Sequence, residues 1–266
     1  FVSGAVVMIL ELTGSRILAP YVGNSIFVWS SLIGVVLASL SLGYFLGGKL
    51  ADSDKDTKNK TLGIIIFSAG FLIGASAVFE KQILGFLSEN INDIRIVALV
   101  SSLILFSPAS VALGMVVPYT VKLKLRTLKK TGEVAGRLYA LSTMGSILGT
   151  FLTGFYLIPS LGSRNILFLI SGLTLCLSFM LLSKRIRGLP LFVLFIFLAA
   201  YAFPPTSNLP FLDKDTFYNR VILEKGIDPN TSKPILTLKT GMIKQSAMFL
   251  DKDDDLVYEY TKYYRI

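Results

Sequence analysis

Two ionisable side chains interrupt the apolar segment that opens the chain. Glu11 and Arg16 lie in "ELTGSRILAPYVG", directly after a mainly apolar stretch. A charged group near the centre of a membrane helix costs about 2.5 to 3.5 kcal/mol on insertion scales, so such groups generally face a partner or a cavity. The Gly-Ser pair and the proline in this stretch predict a helix break near Thr13, which would leave Arg16 at an interface. Two chemistries then stay open: Glu11 pairs with Arg16 across the break, or Glu11 binds a cationic substrate.

A third candidate is Asp52, which follows an apolar run in "GGKLADSDKDTK". A carboxylate at a helix end can pair with Lys or Arg of a neighbouring helix and so latch one conformation. The alternative is a solvated loop whose lysines fix topology, which the nearby Asp54 and Asp56 favour. We keep both interpretations.

The composition defines the class of protein that must position these groups. Hydrophobic residues make up 53% of the chain and charged residues 16%, against about 25% in soluble proteins. The absence of histidine excludes His-based catalysis and imidazole metal sites, and the single cysteine, Cys176, excludes a thiolate cluster, so no metal site is predicted. The net charge of +9 comes mainly from short loops beside apolar runs. That placement favours orientation in a lipid bilayer and argues against nucleic acid as a partner.

The apolar runs predict an α-helical polytopic membrane domain over residues 1–203, with six to seven transmembrane helices. A span needs about 20 apolar residues. We interpret the first run as part of a longer helix, because it lacks the basic start and cleavage site of a signal peptide. The last run falls short of the roughly 17 to 25 residues of a normal span. The runs are 1–12, 26–48, 61–79, 95–118, 137–159, 164–183 and 189–203.

The distribution of Lys and Arg predicts the orientation of these helices. The connections "KLADSDKDTKNK", "KLKLRTLKK" and "KRIR" are rich in basic residues, and they alternate along the chain with connections that contain few basic residues. Basic loops favour the cytoplasmic side, so the chain starts inside. If 189–203 spans the membrane, the residues after Pro204 lie outside.

Small residues recur along two of the predicted helices. In "GYFLGG" and "GSILGTFLTG", Gly43 lies one turn before Gly47 and Gly145 one turn before Gly149. Such spacing lets helix backbones approach closely in lipid. We therefore predict a packing role, and a substrate path lined by glycines is the alternative.

Residues 204–266 form a second predicted region of different character. After the proline-rich "FPPTSNLPF", the runs "YNRVILEKG", "KPILTLKT" and "SAMFLDK" are typical of strands, and "IDPNTS" between the first two is typical of a turn. The acidic residues that start the tail at Asp253 suit the beginning of a helix. We expect a small β region that belongs to an incomplete soluble domain.

Two stretches carry a resemblance to a known family. "ELTGSRILAPYVGNSIFVWSSLIGVVLASLSLGYFLGGKLAD" and "AGRLYALSTMGSILGTFLTGFYLIPSLG" resemble the membrane half of bacterial and archaeal spermidine-synthase-like proteins, in which a major-facilitator-like domain is joined to a polyamine synthase. "DTFYNRVIL" and "QSAMFLDKDDDLVYEYTKYY" resemble the N-terminal β region of the aminopropyltransferase domain. The resemblance covers nearly the whole chain and implies the cytoplasmic (inner) membrane of a prokaryote. "GGKLADSDKDTK" also resembles a cytoplasmic loop of major-facilitator transporters.

The resemblance implies transfer of an aminopropyl group from decarboxylated S-adenosylmethionine to a diamine, on a Rossmann-like α/β fold. We find no glycine-rich nucleotide loop after a strand, so no cofactor is expected in this chain and the donor-binding part is expected beyond it. Tyr218 and Tyr258 match tyrosines of the family's substrate site. Where this chain has Asn219, the family has Gln. Where it has Glu259, the family has His or Gln. The alternative is that both tyrosines only pack within a strand and a helix.

Two functions therefore stay open. In the first, the chain is the membrane domain and the first strands of a polyamine-synthase-like protein. Whether this chain is itself an enzyme then stays undecided. The second is a transporter or binding module for a cationic or amphipathic solute, with a regulatory soluble region. Expected partners are the lipid bilayer and a polyamine or other cationic small molecule, and homo-oligomerisation is left open. A cytosolic donor would require the soluble region inside, whereas the basic loops favour an extracytoplasmic position.

Overall fold

The computed structural model describes residues 1–53, 59–125, 131–183, 186–202, 212–216, 218–229, 231–241, 243–251 and 257–258. In these residues a helical domain is followed by a small antiparallel sheet, which confirms the predicted order of a helical part and a β part. The helices are α1 (Val2–Val22), α2 (Ile26–Ser53), α3 (Asn59–Asn90), α4 (Ile94–Leu105), α5 (Ser107–Lys124), α6 (Thr131–Leu152), a π-helical segment (Thr153–Leu157), α7 (Ile158–Leu161), α8 (Ser163–Leu181) and α9 (Gly188–Ala202). The strands are β1 (Leu212–Asp215), β2 (Arg220–Ile227), β3 (Pro234–Thr240) and β4 (Ile243–Phe249).

The helices are apolar and long. Within the described residues, five helices are long and apolar enough to cross a membrane, and a sixth crossing results if the bent pair α4–α5 counts as one span. The bend of 49° lies at Phe106, where Pro108 occupies the first turn of α5 and cannot donate a backbone hydrogen bond. Helix α9 has 15 residues, about 22 Å at 1.5 Å per residue, and is shorter than a usual span.

The predicted break near Thr13 is wrong. Helix α1 continues through Gly14 and Ser15 to Val22. Gly14 packs against another part of the domain, since a Cβ placed on it would lie 3.1 Å from the Phe106 ring, and within α1 the Ser15 hydroxyl donates to the Leu12 carbonyl at 2.8 Å. The small residues here therefore bring helices together and do not end the helix.

The predicted packing role of the glycines agrees with the helix contacts. A Cβ on Gly43 would lie 2.3 Å from the Val111 carbonyl oxygen of α5, and one on Gly145 would lie 2.1 Å from the Phe1 carbonyl oxygen beside α1. Gly47 and Gly149 make similar approaches, with Cβ distances of 2.7 Å to the same partner helices. At these positions the backbones are so close that only glycine fits.

The sheet is a meander in the order β1-β2-β3-β4 with antiparallel pairing throughout. Three strands fall in the runs predicted from the sequence, whereas β1 was not predicted because "LDKD" has no strand-like pattern. In the predicted turn, the Asp228 carboxylate accepts from the backbone and hydroxyl of Thr231. The predicted helix after Asp253 lies outside the described residues, except for Val257, whose backbone N–H donates to Ala247 at 2.9 Å, and Tyr258.

The sheet lies at one end of the helical domain. It contacts α1 through Arg16, α3 through Lys81 and the start of α8 through Ser163. The opposite end holds the helix ends that flank the basic connections: Lys122 of α5 pairs with Asp52 of α2, and Leu182 after α8 packs on Gly63 near the start of α3. The sheet is therefore at the end away from the Lys/Arg-rich connections.

Helix α9 returns along α8 toward the sheet. Leu194 lies against Gly172, and further along α9 the Tyr201 ring meets the Phe168 ring edge to face, with centroids 5.5 Å apart. Because Phe168 is one turn from the start of α8, Tyr201 lies near the sheet end of the helices. The two helices are antiparallel, as the predicted topology requires.

Candidate functional site

Charged side chains gather where the sheet meets α3 and α8. Arg220 of β2 donates two hydrogen bonds of 2.7 Å to the Asp213 carboxylate of β1, and the Lys81 ammonium of α3 lies 3.7 Å from the same carboxylate. The Arg220 and Asp213 side chains are only 10% and 23% exposed. Asp213 is thus the point at which the sheet is joined electrostatically to a helix.

The pair shifts the pKa of both partners. Burial alone would raise the pKa of Asp213, but hydrogen bonds and charge from Arg220, with a contribution from Lys81, outweigh it and lower that pKa. Burial alone would lower the pKa of Arg220, but the hydrogen bonds to Asp213 and the nearby carboxylates raise it. Both groups therefore stay charged at neutral pH.

A second contact joins β1 to the start of α8. The Asp215 Oδ2 atom accepts from the Ser163 backbone N–H at 2.7 Å and from its hydroxyl at 2.8 Å. This carboxylate therefore caps α8 from another element and complements the positive end of the helix dipole. The turn before it needs Gly162, whose φ of +79° lies in the left-handed region. The Asp215 Oδ1 atom has no hydrogen-bond partner in the described part of the chain.

Glu80 is the most buried acidic residue at this junction, with 2% of its surface exposed. It forms an ion pair with Arg164 of α8, whose Nε lies 3.9 Å from the Glu80 Oε1 atom and also donates to the Ala77 carbonyl at 3.3 Å. Among the described residues, neither Glu80 oxygen accepts a hydrogen bond. A buried carboxylate in this state is costly, which marks Glu80 as a functional candidate.

A cavity of about 240 Å³ opens beside these groups. Residues 159–165, which comprise most of α7, Gly162 and the start of α8, form one wall. Strand β1 and the start of β2 form the other. The charged lining residues are Lys81, Arg164, Lys214, Arg220, Asp213 and Asp215. The cavity can hold a small, charged, polar group.

A second cavity of about 260 Å³ lies between the end of α1 and the sheet. Its polar lining includes Arg16, Asn24, Asn219 and Gln245, and Arg220 borders both cavities. The Arg16 side chain donates to the Tyr218 carbonyl at 2.8 Å. This contact ties the loop before β2 to α1.

The predicted substrate residues are only partly brought together. Tyr218 precedes β2 with its side chain 87% exposed, so the interpretation of Tyr218 as a packing residue within a strand is wrong. Asn219 lines the second cavity, and its carbonyl accepts from Thr216. Tyr258 is half-buried, and Glu259 lies outside the described residues.

Glu11 and Arg16 do not face each other. On a continuous helix, a separation of five residues places side chains about 140° apart around the axis. Arg16 points to the sheet, whereas Glu11 is half-buried within the helices. Of the two chemistries left open, pairing across a break is therefore wrong, and the binding of a cation by Glu11 stays a prediction.

Asp52 does pair with a basic residue of another helix, as one of the two interpretations predicted. The Lys122 ammonium donates to its carboxylate at 2.9 Å. Both side chains are exposed, and exposed pairs contribute about 0 to 1 kcal/mol. The contact is too weak on its own to hold a conformation.

Sequence reasoning missed Glu80, Asp213, Asp215 and Arg220. The signal for Glu80 was its place directly after the apolar run 61–79, where a carboxylate would lie at the end of a span. The other three looked like ordinary polar residues beside strands. Within the described residues, no group of three or more His, Cys, Asp or Glu side chains could hold a metal ion.

Comparison of the chain with protein families, with curated proteins and with solved structures found no match. The class of protein therefore follows from the fold alone: a helical domain with helices of membrane-crossing length, followed by a small antiparallel sheet.

Proposed function

We propose that the chain is an integral membrane domain of a prokaryotic inner membrane that holds the first strands of a polyamine-synthase-like domain against its extracytoplasmic face. The observation that carries the proposal is the position of the sheet, which is attached to the helices at the end away from the basic connections. Basic connections favour the cytoplasm, so the sheet belongs on the other side. The short α9 supports this topology because it runs back along α8 to the sheet end.

The attachment also supports a platform role. Asp213 joins β1 to α3 through a partly exposed ion pair, Asp215 joins it to α8 through buried hydrogen bonds, and Arg16 joins α1 to the loop before β2. These contacts fix the sheet relative to the helices. An aminopropyltransferase-like domain that begins with this sheet would be held in one orientation, with its substrate site at a set distance from the bilayer.

Cysteine labelling tests the topology. In a Cys176→Ser background, Ser232→Cys in the exposed turn between β2 and β3 should react with a membrane-impermeant maleimide on intact cells. Ser53→Cys, at the opposite end of the helices, should react only after lysis and serves as the matched control. The reverse pattern would place the sheet in the cytosol and overturn the proposal.

An activity assay tests the polyamine part. Because no glycine-rich nucleotide loop follows a strand in this sequence, we expect no transfer from labelled decarboxylated S-adenosylmethionine to putrescine by this chain. A longer protein in which this chain is followed by the proposed donor-binding part should form product. If such a longer protein bound neither the donor nor putrescine, the family assignment would be refuted and the topology would be unaffected.

A second function, a transporter or binding module for a cationic solute, is favoured by Glu80. A carboxylate without hydrogen-bond partners inside a helical domain can hold a cation that replaces the contact with Arg164. Proteoliposomes should then take up labelled spermidine, and Glu80→Gln should abolish uptake while Asp52→Asn should not. Equal uptake by both variants and by empty vesicles would exclude this function.

A further inference from the structure

The second cavity, between the end of α1 and the sheet, is lined by two arginines and by no Asp or Glu side chain of the described residues. Arg16 belongs to α1 and Arg220 to β2. Asp213, the partner of Arg220, lines the first cavity and not the second. The lining of the second cavity therefore carries a net positive charge, which favours an anionic ligand.

Arg220 retains hydrogen-bond donors for such a ligand. Its Nε and Nη2 atoms donate to Asp213, which leaves the two hydrogens of Nη1. The side chain is only 10% exposed, yet Nη1 is not sealed from solvent as the two Glu80 oxygens are. A largely buried guanidinium attracts an anion more strongly than one in water, because the local dielectric constant is lower.

Three amide side chains, those of Asn24, Asn219 and Gln245, complete the polar lining. The Gln245 amide donates to the Thr240 hydroxyl at 2.7 Å. The Asn219 backbone bonds with Thr216, but its side chain and that of Asn24 make no hydrogen bond within the described part of the chain. Each of these two amides can donate two hydrogens to an oxygen in the cavity.

The size and surroundings of the cavity favour a small ion with a single negative charge. Its volume of about 260 Å³ equals roughly nine water molecules at ~30 Å³ each, which is below the usual volume of a drug-sized pocket. Helix α1 ends at the cavity, and the partial negative charge of a helix C-terminus disfavours a dianion such as phosphate. Ala19 and Ile243 add an apolar wall. A carboxylate with a short alkyl chain meets both conditions.

We propose that the second cavity binds a small aliphatic monocarboxylate. The carboxylate lies between Arg16 and Arg220, and the alkyl chain lies along Ala19 and Ile243. Such a ligand has the opposite charge to a polyamine, so its binding does not rest on either function proposed above. Because α1 and the strands β3 and β4 all line the cavity, the bound ligand also strengthens the attachment of the sheet to α1.

Isothermal titration calorimetry on the purified full chain in an uncharged detergent tests the proposal, with valerate as the probe. We expect saturable binding of valerate. Valeramide has a similar shape without the charge and should bind at least about tenfold more weakly, since a hydrogen bond to a charged group is worth about that factor. Phosphate and putrescine should also bind more weakly than valerate. Absence of valerate binding, equal binding of valeramide, or tighter binding of phosphate or putrescine would overturn the proposal.

Variants test the charge of the lining. Asn24→Asp places a carboxylate in the cavity and should weaken valerate binding by about tenfold or more, because like charges repel. Asn90→Asp makes the same change at the end of α3, outside the cavity, and is the matched control that should leave binding unchanged. Arg16→Gln should abolish binding, and Asn24→Asp decides the matter if loss of the Arg16 contact with Tyr218 prevents folding. Unchanged binding in Asn24→Asp, or an equal loss in Asn90→Asp, would refute the site.

Hydrogen exchange locates the bound ligand. At a valerate concentration of ten times its dissociation constant, exchange that requires the sheet to leave α1 should slow by about tenfold in β3 and β4. Amides of α8 should be unchanged. Slower exchange at the start of α8 would place the ligand in the first cavity and overturn the assignment.

Discussion

Removing the Asp213 carboxylate should destabilise the first two strands of the sheet and weaken their contact with α3. Asp213→Asn keeps the size of the side chain but leaves Arg220 and Lys81 without a counter-charge. Breaking a buried ion pair by removing one partner costs about 3 to 5 kcal/mol. Because Asp213 is 23% exposed, we expect the lower end, about 3 kcal/mol. Because Asp213 and Arg220 both lie in the sheet, most of this loss concerns the pairing of β1 with β2, and the docking of the sheet on α3 loses the 3.7 Å contact with Lys81.

Hydrogen exchange resolves where the loss occurs. Amides of β1 and β2 should exchange on the order of 100-fold faster in Asp213→Asn, which is the equivalent of about 3 kcal/mol. Amides of α2 and α5 should be unchanged. The double variant Asp213→Asn with Arg220→Gln should be less destabilised than the sum of the single variants, because each single change already removes the same contact.

The matched control lies within the sheet. Glu224 of β2 pairs with Lys239 of β3, and neither side chain is deeply buried or joined to a helix. Glu224→Gln should cost about 0 to 1 kcal/mol and should leave the sheet docked. Strict additivity of the Asp213 and Arg220 changes, or equal effects of Asp213→Asn and Glu224→Gln, would refute the role assigned to this buried pair.

The same pair predicts a dependence on pH. The pKa of Asp213 is lowered in the folded protein from its usual value of 3.8, so the unfolded or undocked state binds more protons. The contribution of Asp213 is therefore complete above about 3.8 and is lost as the pH falls through the lower value of the folded protein. Exchange of the β1 amides should rise over this window in the unchanged protein and much less in Asp213→Asn.

Three further outcomes are expected in thermal unfolding in detergent. Glu80→Gln should raise the melting temperature, because it removes a buried charge without hydrogen-bond partners, and a clear decrease would show that its ion pair is net stabilising. Gly43→Ala should cost about 1 to 3 kcal/mol by pushing against a backbone carbonyl of α5, whereas Gly34→Ala in the same helix meets nothing within 4 Å and should be neutral or stabilising. Glu11→Gln and Arg16→Gln should be additive, and coupling between them would contradict their separate environments.

Local patterns predicted much of the fold. Long apolar runs and basic loops gave the helices and their alternation, and β-branched runs around a turn-forming segment gave β2, β3 and β4. These features depend on neighbours in the sequence, so they can be read from it. The break near Thr13 was wrong because a Gly-Ser pair can end a helix or allow close packing, and only the partner at Phe106 decides between them.

The functional candidates were predicted less well for the same reason. Glu11 and Glu80 both carry a carboxylate beside an apolar run, and nothing nearby in the sequence says that Glu80 is the one enclosed by other elements. Likewise, "LDKD" resembles a polar linker in the sequence. Only the structure shows that its two aspartates pair with Arg220 and Ser163.

The sequence by itself determined that this chain has apolar helices of membrane-crossing length and a small β region after them. Only the tertiary structure decided which charges meet. Arg16 reaches a carbonyl 202 residues away, and Asp215 caps a helix that starts 52 residues earlier. Helices and strands form through local periodicity, whereas an ion pair or a cavity requires segments distant in the chain to dock, and the energy of that docking depends on burial that no single segment contains.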